Sequence, residues 1–243
     1  MEPLHLLSTL SFSTFDLRGR LIGQARSQNL IVNTGITSMG QLIAWGLFQN
    51  QNSAFGGALN SAWGNFGNVY GAVGIGSGSQ QPSDTSLALE IWRTTCSSGS
   101  LGSGQITAYF QFGTAQANGT ITEGGLFTTA NLVTTTLTSA LTSGTQYTSL
   151  AVNALPAQIP GGSTITIGYT TSQIQQVTTS ATAASGATSI SVNAFTANAN
   201  YGVGATVAYL PGLMLNHVFF LGPVTKNSSM TGTLQWQLTL LSQ

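Results

Sequence analysis

Charge is what this 243-residue chain most conspicuously lacks: five Lys plus Arg, five Asp plus Glu, and 4% charged residues in total, against the ~25% usual in soluble domains. One lysine and four arginines are too few to neutralise a run of backbone phosphates, so no nucleic-acid partner is expected. Cys96 stands alone, which rules out an internal disulfide and a zinc knuckle. The opening "MEPLHLLSTLSF" carries an acid, no Lys or Arg and only a short apolar run, unlike a secretory leader. No stretch reaches the ~18 apolar residues of a membrane helix, so no membrane partner is expected. Disorder is excluded too: it needs low hydrophobicity with high net charge, and here 42% of residues are hydrophobic with formal net charge zero.

What fills the chain is Gly, Ser, Thr, Ala, Asn and Gln in β-type patterns. "QITAYFQF" sets Ile106, Ala108, Phe110 and Phe112 on one side. "GTLQWQLTL" alternates Leu234, Trp236, Leu238 and Leu240 with Thr and Gln. Such alternation marks strands with one buried face. Residues 4–32 read as two strands about the polar turn "DLRGR", and "MLNHVFFLGPV" as a strand closed by Gly222-Pro223. One segment changes period: Ile36, Met39, Leu42, Ile43, Leu47 and Phe48 recur at helical spacing, predicting an amphipathic helix from about Gly35 to Phe48. The expected fold is therefore all-β, an antiparallel β-sandwich of jelly-roll-like kind with one amphipathic helix and a small inserted β module.

The module shows itself by repetition. "TSLAVNAL" at 148–155 returns forty residues later as "TSISVNAF" at 188–195, and each copy precedes a Gly-led strand. Two copies of a strand–loop–strand unit predict a self-paired β module. Residues 133–211 are assigned to it, leaving 1–132 plus 212–243 as a discontinuous main domain.

"VYGAVGIGSGSQQPSDTSLALEIWR", Val69–Arg93, opens like a phosphate loop. The dinucleotide fingerprint needs G-x-G-x-x-G opening a helix. Here Gly74, Gly76 and Gly78 run G-x-G-x-G into Pro82, which interrupts any helix N-terminus, and no lysine precedes 226. No cofactor is expected, and the glycines read as positions of close backbone approach. Asp84 with Thr85 and Ser86 resembles a cap for a short helical turn. In so uncharged a chain, Glu90, Arg93 and Glu123 are candidates for one buried ion cluster latching two strands. Read as a glycosidase carboxylate pair, Glu90 and Glu123 would be compromised by the intervening Arg93. His5 and His217 are far apart, with no G-x-S-x-G elbow and no neighbouring acid in sequence, so neither a catalytic triad nor a metal site is expected. Trp63 and Phe66, in an Asn/Gly-rich loop at 49–68, are candidate surface-contact residues.

The order of these motifs resembles a family of structural proteins from tailed-bacteriophage virions. Its marks are the N-T-G helix, a G-x-G turn with D-T-x-L-x-x-E-x-x-R, an I-x-E-x-G-L-F strand and two closing strands about a lysine turn. Asp84, Thr85, Leu87, Glu90, Arg93, Glu123, Gly125, Leu126, Phe127 and Lys226 match. The bulkier Leu89-Glu90-Ile91-Trp92 and the inserted module depart from it. The resemblance implies a non-enzymatic virion component, either a head decoration or cement protein or a tail or fibre protein. It also implies partners among other virion proteins and a homo-oligomer, with a trimer about a threefold axis as the assembly common to such proteins.

Overall fold

A computed structural model describes residues 5–28, 30–31, 69–102, 105–127, 132–171, 173–210 and 214–241. In chain order the strands are β1 His5–Asp16, β2 Leu21–Gln28, β3 Leu30–Ile31, β4 Tyr70–Gly74, β5 Glu90–Thr95, β6 Ser98–Gly102, β7 Gln105–Phe112 and β8 Gly119–Phe127. There follow β9 Val133–Thr136, β10 Gln146–Ala151, β11 Thr164–Ile167, β12 Gln175–Thr178, β13 Ser189–Thr196, β14 Thr206–Tyr209, β15 Met214–Lys226 and β16 Met230–Leu241. Among the described residues the structure is all-β, antiparallel and sandwich-like. The helix expected over 35–48 lies outside the described residues. The chain divides into two compact units, Met1–Thr129 with Gly212–Gln243, and Ala130–Pro211.

The main unit has two five-stranded sheets, ordered β2-β1-β16-β7-β6 and β3-β15-β8-β4-β5. The alternation legible in sequence sets their faces. Leu10 and Phe12 of β1, Phe110 and Phe112 of β7, and Leu234 and Trp236 of β16 point inward and are buried, with Phe12 edge-on to Phe112 at 5.8 Å between centroids. Gly71 lies so close beneath Phe110 that a Cβ there would come within 2.4 Å of the ring. At both corners one run of chain serves both sheets: β2 leads into β3, and β5 into β6. At the second corner Cys96 N–H donates to the carbonyl of Val69, just before β4 of one sheet, and Ser97 N–H to that of Tyr109 in β7 of the other. Strands that change sheet in this way turn the corners of a sandwich and leave little bare edge.

β15 does not stop at Gly222-Pro223 as its sequence suggests; it runs on to Lys226. Its pairing with β8 jumps from Phe219↔Glu123 to Val224↔Ile121, so the Gly-Pro pair sits in a bulge, where a proline without an N–H is tolerated.

The second unit is organised by its repeat. β10 and β13 pair so that Leu150 faces Ile190, the same position of the two sequence copies. The four-stranded sheet β12-β11-β14-β9 is likewise symmetric, with Thr166 opposite Ala208. The isolated bridges come as matched sets: Leu137↔Val152 with Thr179↔Val192, and Leu141↔Tyr201 with Ile159↔Ala183. A pseudo-twofold axis thus relates two halves about a core that includes Leu150, Ile190, Ile165 and Val207. The duplication extends well beyond the eight-residue motif that betrays it, since strand pairing and turns repeat even where equivalent buried residues, such as Leu137 and Thr179, differ. Ser143-Gly144 and Ser185-Gly186 are equivalent turns, with φ of 79° and 83° at the glycines and open space where a Cβ would go. Gly144→Ala and Gly186→Ala are therefore expected to cost the same, about 1–2 kcal/mol each, as read by urea unfolding followed through far-UV circular dichroism.

Candidate functional site

Gly124 faces the core between the sheets, since a Cβ there would meet Leu10, Phe220 and Leu234. Its neighbours Glu123 and Gly125 consequently face the opposite way, onto the outer side of the sheet where the segment Ile75–Leu89 folds back. Leu87 seats that segment on Ala72, Phe127 and Met214. Glu123 is wholly buried and gathers the segment's two ends. Its Oε1 accepts the N–H groups of Gly76 at 3.0 Å and Leu89 at 2.7 Å. Its Oε2 accepts Ala88 N–H at 2.9 Å and lies 3.0 Å from His217 Nε2.

The glycine run owes its spacing to this carboxylate. A Cβ on Gly74 or on Gly76 would stand 2.4 Å from Glu123 Oε1. Glycines two residues apart clear one face of an extended chain, so G-x-G opens a slot for a side chain of the protein itself. The next link is His217, whose Nδ1 lies 2.6 Å from Asp84 Oδ2. Asp84 also accepts Gln81 N–H at 2.8 Å, and Gln80 Oε1 accepts Phe219 N–H from the bulged part of β15. Asp84 therefore does not cap a helical turn: residues 84–89 contain no helix, and its carboxylate is committed to the imidazole.

Glu90 and Arg93 meet as the sequence suggests, with Arg93 Nε 2.9 Å from Oε1 and Nη2 2.7 Å from Oε2, both side chains buried. This is the bidentate geometry of a strong pair, and the guanidinium also lies 3.6 Å above the Phe127 ring. Residues three apart on a regular strand point to opposite faces. Here pairing shifts between Val73↔Trp92 and Gly74↔Glu90, and the extra residue returns Glu90 and Arg93 to the same side. Glu123 does not join them; it flanks Gly74 on β8 and bonds the segment and His217 instead. Trp63 and Phe66 lie outside the described residues.

Sequence reasoning missed His217 and Asp84. They are 133 residues apart, and the only local signal was one imidazole inside an apolar strand. Burial works to lower the His217 pKa, but the hydrogen bonds to Glu123 and Asp84, together with their charges, outweigh it and hold the pKa above its ordinary 6.5. As an imidazolium the ring donates to both carboxylates; deprotonated, it turns a lone pair toward one of them. A pKa raised in the fold means that the stabilisation is complete below the unfolded value of 6.5 and is lost as pH rises through the higher folded value. Unfolding midpoints of the main unit should thus fall as pH rises above 6.5, and His217→Gln should flatten that slope. Ala130–Pro211 contains no tryptophan, whereas Trp92 and Trp236 lie in the main unit, so tryptophan fluorescence does not read the second unit.

Lys226 is also buried, its Nζ donating to Asn118 Oδ1 at 2.9 Å and, longer, to the Thr114 carbonyl at 3.4 Å. Burial pushes its pKa down to about 8. No group of His, Cys, Asp and Glu suited to a metal occurs among the described residues. The chemistry of the cluster is that of a fastener: the two Glu123 oxygens already hold four partners, the acceptor capacity of a carboxylate. No family model, curated protein or solved structure matches the chain.

Proposed function

We propose that this protein is a non-enzymatic structural component of a tailed-phage virion, a decoration or cement subunit of the head. The observation that carries the reading is where the polar groups lie. Of the charged side chains described in the main unit, Glu90, Arg93, Glu123 and Lys226 are buried. The outer face of β2-β1-β16-β7-β6, by contrast, is laid with Thr9, Ser11, Ser13, Gln24, Gln111, Thr233, Gln235 and Gln237 around one charge, Arg26. Two pairs are already bonded sideways, Gln24 to Ser13 and Thr233 to Gln111. A hydroxyl and amide face with a single charge largely avoids the desolvation cost of charges when covered, and depletion of charge marks the buried centres of protein interfaces. With Glu123 saturated and Glu90 clasped by Arg93, a glycosidase role for the two carboxylates has no support. The chain's passage between sheets at both corners favours the jelly-roll-like description of the fold, and repeated lateral contacts favour a homo-oligomer, with a trimer as the reading to test by mass photometry.

Cement subunits act by burying surface across capsomer junctions, and ~1,600 Å² per contact is enough for specific attachment. Gel densitometry of purified particles tests the assignment: abundance comparable with the major capsid protein supports the head, and a few copies per particle rules it out. The second reading, a tail or fibre component contacting the host surface, is favoured by the compact, uncharged module carried within the main unit's sequence. Antibody labelling of particles under the electron microscope separates the two.

A further inference from the structure

We infer that the β1–β2 hairpin tip is the docking point of the main unit, and that its occupant is an acidic, apolar-centred patch on a neighbouring virion protein; this rests on the virion reading above. Leu17, Leu21 and Ile22 are 72%, 55% and 53% exposed, and Leu221, in the bulge of β15, is 92% exposed. The two strands meet at this corner, Val224 lying against Gly23. Leu17, Leu21 and Ile22 fall within six residues of one turn, and large exposed aliphatic side chains grouped in this way mark contact sites. These are held on an ordered frame. Asp16 Oδ1 accepts the N–H groups of Arg18 and Arg20, and its Oδ2 lies 2.6 Å from Arg20 Nε. Gly19, at φ 76°, closes the turn with its N–H on the Asp16 carbonyl. A tip fixed before binding loses little entropy on docking.

Charge selects the occupant. Arg18 and Arg20 lie at the tip and Arg26 further along β2, opposite Ser11; all three are exposed, and of them only Arg20 has an ion-pair partner among the described residues. Of the five acids of a second copy, Glu90 is held by Arg93, Glu123 and Asp84 by His217, and Asp16 by Arg20, which leaves Glu2, outside the described residues, against two arginines. Side-chain carboxylates for both Arg18 and Arg26 therefore come from another molecule. Arginine forks suit carboxylates at an interface, whereas a membrane-seeking tip would carry lysines and interfacial aromatics, and this one has neither.

The test uses particles made from a phage genome lacking this coding sequence, mixed with the purified chain and sedimented at low and high salt. Wild type should bind, and binding should weaken with salt. Arg18→Glu with Arg26→Glu, and separately Leu21→Ser with Ile22→Ser, should each lower bound protein about tenfold or more while keeping the wild-type melting temperature. If wild type binds and both double variants bind equally well, the docking point is elsewhere and the virion reading survives. If wild type fails to bind, the virion reading falls and this inference with it. Flotation with phosphatidylglycerol vesicles that depends on Arg18 and Arg26 would replace the protein patch by a membrane, and arginine-dependent self-association in the absence of particles would replace it by a second copy.

Discussion

Glu123→Ala should destabilise the main unit by about 3–5 kcal/mol and lower its melting temperature by roughly 10 °C, read by tryptophan fluorescence. One side chain here joins β8, both ends of the Ile75–Leu89 segment and His217 of β15. Removing the carboxylate leaves three backbone N–H groups and an imidazole without their acceptor in a dry site, and each buried unsatisfied donor costs about 1–3 kcal/mol. Part of the loss is recoverable, because the Ile75–Leu89 segment can open and let water reach those groups, so local amide exchange there should accelerate more than in β7 or β16. Glu123→Gln should fall between the two, since an amide retains one oxygen but turns an NH2 toward donors. A melting temperature within about 2 °C of wild type for Glu123→Ala would show that the segment is held by Leu87 packing alone.

Arg93→Ala should cost about 3 kcal/mol or more. It strips Glu90 of a bidentate partner in a buried site and removes the guanidinium stacked on Phe127. The informative companion is the double variant Glu90→Leu with Arg93→Met. A buried pair replaced whole by apolar side chains of similar size is often neutral, whereas a broken pair is not. Urea midpoints should therefore order wild type and the double variant together, with Arg93→Ala well below. If the double variant is as unstable as Arg93→Ala, the two side chains contribute mainly by shape, and the ionic account of this corner fails.

The two fasteners differ in how far the sequence discloses them. The Glu90–Arg93 pair was legible because scarcity made each charge conspicuous and the partners are three residues apart. The bulge that turns them to one face was not, since it arises from how β5 is read against β4. The glycine spacing was legible as close approach, but not as an approach to Glu123, which lies 47 residues beyond Gly76. Long strands such as Gln105–Phe112 and Met230–Leu241 announce themselves through alternation imposed by one wet and one dry face. The passage of β2 into β3 and of β5 into β6 leaves no such trace, because a strand that changes sheet keeps its local pattern and alters only its neighbours. His217 shows the same limit: one imidazole among apolar residues carries no record of the acids it will meet.

The internal symmetry of Ala130–Pro211 has an evolutionary corollary. Each half presents to the other the surface it receives in return, as the Leu150–Ile190 and Thr166–Ala208 pairings do, which is the self-complementary contact of a twofold dimer. A peptide of half this length, associating with its own twin, would meet every one of these requirements. The segment is best understood as such an ancestral pair joined end to end by gene duplication, its symmetry kept in pairing and turns while even buried residues such as Leu141 and Ala183 came to differ.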